Sequence, residues 1–108
     1  MGKEQLVEEL TRRIIAHIRP ESIILFGSVA KGLDNADSDI DLLVVWNEEN
    51  ILSNRERSLK LRRLVGLIDT PLDVLTCNTQ ELQKALQEPN SFTSQIVKEG
   101  RVIYGRLN

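Results

Sequence analysis

One cysteine, one histidine and three prolines stand in a chain of 108 residues, and each scarcity closes a line of interpretation. Cys77 alone cannot form an internal disulfide, so the fold has to stand on its core. With no second cysteine and with His17 far away in sequence, Cys77 reads as a small packed side chain rather than a nucleophile. His17 reads as a packed or surface side chain rather than a general base. Few prolines and only six glycines exclude a fibrous or disordered chain. No apolar run approaches membrane-spanning length, and the opening "MGKEQLVEELTRR" is charged where a secretory signal would be apolar. Leu6 also stands where a myristoylation signal wants Ser or Thr, so a cytoplasmic protein with no membrane partner is expected. An excess of positive charge is missing too. Fourteen Lys and Arg against sixteen Asp and Glu leave a net charge of −2, which argues against direct nucleic-acid binding.

What is present is an ordinary globular composition, 41% hydrophobic and 28% charged, of a length that suits one domain over residues 1–108. Leu6, Leu10, Ile14 and Ile18 recur every four residues and predict an amphipathic helix that Pro20 terminates. "SIILF" follows as a short β-branched strand, then a turn or two of helix dissolving into the Gly, Asp and Asn residues of "SVAKGLDNADS". "DIDLLVVW" is the next strand, with Trp46 read as core or interface. A second helix over 54–68 places Leu61, Leu64, Val65 and Ile68 on one face, with Arg55, Arg57, Lys60, Arg62 and Arg63 elsewhere as a solvated face. "TPLDVLT" is a third strand. A helix over 79–87 capped by Thr79, a short helix over 92–98 and a last strand "RVIY" complete the chain. No internal repeat is visible. The fold class is α/β (α+β), a sheet backed by helices.

The stretch from Ser22 to Val45, "SIILFGSVAKGLDNADSDIDLLVV", carries the chemistry. Gly27 and Ser28, where a strand passes into a helix, leave backbone N–H groups free at the positive end of a helix dipole. Alone that is an N-cap; with acids nearby it is a seat for phosphate. A P-loop does not fit, because Leu33 and Asp34 follow Gly32 where that motif needs Lys and a hydroxyl residue. An EF-hand does not fit either: Asp37, Asp39, Asp41 and Glu48 imitate its spacing, but Leu42 occupies the position of its glycine and "LLVV" demands a strand. Strand alternation points Asp39 and Asp41 to one face and Ile40 to the other. A third acid, Asp73, is expected to be embedded between Leu72 and Val74 of an apolar strand. If that strand lies beside the one bearing Asp39 and Asp41, the three carboxylates converge. Oxygen ligands of that kind suit magnesium, and two such ions activate an attacking oxygen while steadying a leaving pyrophosphate.

Gly27-Ser28, ten residues, then Asp39-Ile40-Asp41, with Asp73 on a later strand, resembles the signature of the DNA polymerase β-like nucleotidyltransferases, in particular their minimal members. The likeness covers residues 22–76, and "KEGRVIYG" is similar to the family's closing strand. It implies a polymerase β-like core with a short mixed sheet backed by helices, forming a single nucleotidyltransferase domain. It also implies that Gly27 and Ser28 bind the outer phosphates of ATP and that Asp39, Asp41 and Asp73 are catalytic and ligate Mg²⁺, two ions in number by the family pattern. Asp37 is left as a loop neighbour, and Lys31 within reach of a phosphate or of solvent. Minimal members are often paired with a small helical toxin of the HEPN type. The likeness therefore implies an antitoxin that transfers AMP from ATP to a tyrosine of that toxin and that forms an oligomer with it. Adenylylation of a small molecule such as an antibiotic, and neutralisation by binding alone, are the alternatives. Little of the chain is expected to remain for an acceptor pocket.

Overall fold

The structure is a computed structural model and describes residues 3–35, 37–47 and 53–107. In chain order it runs α1 (Glu4–Ile15), β1 (Ser22–Phe26), α2 (Gly27–Lys31), β2 (Ile40–Val45), α3 (Asn54–Val65), β3 (Leu72–Cys77), α4 (Thr79–Leu86), α5 (Phe92–Glu99) and β4 (Arg101–Gly105). The four strands form one sheet in the order β3-β2-β1-β4. β1 pairs antiparallel with both β2 and β4, whereas β2 and β3 run parallel, so the sheet is mixed as expected.

Alternation along the strands divides the core into two layers. Ile23 and Leu25 of β1, Ile40, Leu42 and Val44 of β2 and Val74 of β3 pack with Val7, Leu10 and Ile14 of α1 and Leu61 and Val65 of α3. The opposite face sets Ile24, Leu43, Val45 and Cys77 against Leu82 of α4 and Ile96 of α5. Trp46 is buried at the end of β2, with the Lys60 ammonium 5.4 Å from its ring centroid.

Several boundaries differ from the sequence expectation, each for a local reason. α1 ends at Ile15, well before Pro20, and His17 lies exposed beyond it while Ile18 folds back to donate to the Ile14 carbonyl. α3 stops at Val65 rather than at 68, because Gly66 takes φ 77° and leaves the helix. Ile68 still packs on the core from outside the helix. The Arg13 guanidinium, reaching from α1, donates to the Val65 carbonyl at 2.7 Å and so satisfies that terminus. α4 is capped by Asn78, not Thr79: the Asn78 side chain accepts from the Glu81 N–H while Glu81 accepts from the Asn78 N–H.

Arg57 is a further correction. It is buried rather than on the solvated face, and its guanidinium donates to Asn54 at 2.8 Å and Glu81 at 3.4 Å, tying α3 to α4. The Ser58 hydroxyl of α3 donates to the Val74 carbonyl of the outer strand β3, which covers a backbone group that an open edge would expose, and the Thr76 hydroxyl of β3 donates back to the Asn54 carbonyl.

Candidate active site

β1 delivers Gly27 to the end of the sheet, and the five-residue α2 starts there. Gly27 has φ 77°, a conformation that side chains with a Cβ rarely adopt. A second constraint acts on the same residue, because a Cβ at position 27 would collide with the Asp41 carboxylate. The Gly-Ser turn and the second aspartate of the pair are therefore in direct contact, as the register Phe26↔Asp41 requires.

β3 lies beside β2 with Asp41 opposite Asp73, so these two acids are neighbours on one face. Asp39 stands just before β2, exposed, and the loop that holds it is pinned by Lys3, whose ammonium donates to the carbonyls of Asn35 and Ser38 at 2.7 Å each. Asp37 belongs to that loop: its N–H donates to the Asn35 side chain at 2.8 Å and it is exposed. Burial, then the Asp73 charge, then the Asp39 charge push the Asp41 carboxyl above the usual carboxylate range. Both neighbouring acids thus act electrostatically on Asp41. Among the described residues they do not close into a three-ligand cluster as the side chains stand. That still fits magnesium, which is commonly held by one or two carboxylates completed by substrate phosphates and water.

Asp73 departs from expectation. It is not embedded in an apolar strand; its side chain is 56% exposed at the sheet edge, with the Arg62 guanidinium 3.9 Å away. Lys31 is taken up by an ion pair with Glu99 at 3.0 Å. Cys77 is buried, and burial chiefly pushes its thiol up to about 11, in keeping with a packed side chain. Sequence reasoning did not find Arg62, because its position near Asp73 depends on how α3 lies along β3. It also missed the contact between Gly27 and Asp41, for which the ten-residue spacing was only an indirect sign.

Residues 8–107 match the sequence profile of the family described as polymerase beta, nucleotidyltransferase. The chain belongs to the polymerase β nucleotidyltransferase family. Its fold is shared by a protein of Sulfolobus solfataricus described as a candidate nucleotidyltransferase, with TM-score 0.66 and 21% identity over 94% of this chain and 79% of that one. A toxin-antitoxin structure with AMP-PNP is similar as well, with TM-score 0.57 and 23% identity over 98% of this chain and 75% of the other. No protein of curated function matches the chain in sequence at a significant level. Among the described residues no helix is long and apolar enough to cross a membrane.

In this nucleotidyltransferase the strand order explains the motif. Antiparallel β1 and β2 bring the end of one strand to the start of the next, so a turn after β1 and acids at the entrance of β2 must meet. Among the intervening residues, Gly27–Lys31 form α2.

Proposed function

We propose that the chain is a Mg²⁺-dependent nucleotidyltransferase that moves AMP from ATP to a tyrosine of a HEPN-type toxin, and that it works as the antitoxin of that pair. The observation that carries this reading is the Asp41 carboxylate, pressed against Gly27 on one side and beside Asp73 on the other. Membership in a nucleotidyltransferase family and the fold shared with a toxin-antitoxin structure support it.

Gly27 and Ser28 would hold the outer phosphates of ATP through backbone N–H groups and a hydroxyl. Asp39, Asp41 and Asp73 would hold magnesium, as two ions by the family pattern, which supplies charge neutralisation at the phosphates when bound. The Asp41 and Asp73 carboxylates repel in its absence, so the chain is prepared for a cation rather than for a proton alone. In the transfer the acceptor oxygen forms a bond to the α-phosphorus, the bond to the bridging oxygen of pyrophosphate breaks, and the hydroxyl proton leaves to solvent. Asp73, the more exposed of the pair, would assist the metal that activates the incoming hydroxyl.

Incubating the protein with ATP, Mg²⁺ and the helical protein encoded beside it, then weighing both chains intact, tests the reading. A gain of one or more AMP units on the neighbour is the expected result. Tight association with no gain would replace it with neutralisation by binding, and transfer to a small hydroxyl compound alone would replace it with the antibiotic-type activity.

A further inference from the structure

Directly inward from the acid pair the sheet face carries Leu43 and Leu75, the next same-face residues after Asp41 and Asp73. They lie in a groove of about 530 Å³, walled by Phe92 and Ile96 of α5 and by Arg55 and Ser58 of α3. That volume is within the range of ligand pockets, about 300–1,000 Å³. Phe92 is held edge-on against Phe26, ring centroids 6.5 Å apart, yet is 67% exposed. On the α3 side the charged residue of the rim is Arg55, while Glu81 of α4, which also lines the groove, is paired with the buried Arg57 at 3.4 Å. Arg62 stands beside Asp73, and Arg55 makes no ion pair among the described residues.

We infer that this groove is the acceptor-docking site: it takes a tyrosine in an acidic segment of a protein partner, with Phe92 packing on the ring and Arg55 pairing with a flanking acid. The inference rests on the nucleotidyltransferase reading and adds the location and chemistry of the acceptor. Three features select this occupant. In-line displacement needs the acceptor opposite the leaving pyrophosphate. With the outer phosphates at Gly27 and Ser28 over β1, the opposite side is β3, where Asp73 and the groove lie. Next, same-face residues of a strand are about 6.6 Å apart, roughly the length of a tyrosine side chain, so a ring over Leu75 carries its hydroxyl to the level of Asp73. Only an acceptor with an apolar body and a hydroxyl tip satisfies both ends. Finally, Arg55 on the rim favours an acidic neighbour of that tyrosine.

The test uses an acidic heptapeptide with a central tyrosine, its phenylalanine analogue, which cannot accept AMP, and a version with lysines in place of the acids. Binding of the phenylalanine analogue in the presence of Mg²⁺ and AMP-PNP is expected to weaken at least about tenfold in Phe92→Ala and in Arg55→Glu. Affinity for Mg²⁺ and AMP-PNP should change less than about twofold in both. Arg55→Glu should in addition bind the lysine peptide more tightly than the acidic one, which loss of packing alone would not produce. Both positions are exposed, so the variants should fold. Peptide binding that is absent in the unaltered protein, or unchanged in the variants, overturns the inference. So does a parallel loss of AMP-PNP binding in Phe92→Ala, which would put the nucleotide base in the groove. Failure of the unaltered protein to bind Mg²⁺ and AMP-PNP would instead remove the nucleotidyltransferase reading on which the inference rests.

Discussion

On one face of the sheet Ile40, Leu42 and Val44 of β2 lie beneath α1 and α3; on the other, Leu43 and Val45 lie beneath α4 and α5 while Asp41 is only half-buried. The strands are the same, so the helices make the difference. α1 and α3 have twelve residues each, α4 and α5 only eight. At 1.5 Å per residue that is about 18 Å against about 12 Å, and a six-residue strand is about 20 Å long. Short helices therefore cover one end of their face and leave the other to water, which is where charges are affordable and a substrate can enter. The closed face stabilises the fold, and the half-closed face carries chemistry at its open end.

The largest expected effect is on the closed face. Leu42→Ala removes a fully buried side chain, and the denaturant midpoint should report a loss of about 2–5 kcal/mol. If it cost no more than a surface change, the distinction between the faces would fail. Asp41→Asn, one residue away on the open face, should leave the fold intact and reduce transfer at least about 100-fold, some 2.7 kcal/mol in barrier. Asp37→Asn, in the loop, should cost under about tenfold, and equal impairment of the two would sink the assignment of acids.

Gly27→Ala is intermediate. Positive φ alone should cost about 1–2 kcal/mol, and the added methyl displaces the Asp41 carboxylate, so activity should fall with stability. A Gly27→Ala protein of normal stability and activity would show that the contact is dispensable.

A smaller effect concerns charge. The folded state holds the Asp41 proton more tightly than the unfolded chain does, so ionising Asp41 destabilises the metal-free protein as pH rises through its raised pKa. Asp41→Asn escapes this. Its melting temperature relative to the unaltered protein should rise from about pH 4 to pH 7, and Mg²⁺ with nucleotide should reverse the gap by binding only the unaltered site. A gap independent of pH would mean that Asp41 is not strained. The smallest effect is at the covered end of the same face, where buried Cys77, with its thiol at about 11, should alkylate far more slowly in the native than in the urea-unfolded chain at pH 8. Equal rates would show that α4 and α5 do not close that end.

The type of nearly every element could be read from the residues, because periodicity and capping act over a few residues. Leu10 and Ile14 mark α1, and "SIILF" and "IDLLVV" mark β1 and β2 by the same local logic. The boundaries moved where one backbone angle intervened, as at Gly66. Reading Asp73 as embedded failed for a different reason: the flanking leucine and valine show alternation, but whether their strand is central or at an edge is a property of the whole sheet. Arg57 failed in the same way, since its burial depends on α4 standing beside α3.

By itself, then, the sequence determined that a strand passes at Gly27 and Ser28 into a helix and that Asp41 opens the next strand on the face opposite Ile40 and Leu42, since both follow from turn and strand geometry within a few residues. Tertiary structure alone decided that β3 runs parallel to β2 with Asp73 opposite Asp41, that Arg62 reaches Asp73, and that Phe92 walls a groove beside them. These depend on which strands pair and how far the covering helices extend. Such contacts join residues more than ten positions apart in sequence, and no local preference of the chain encodes them.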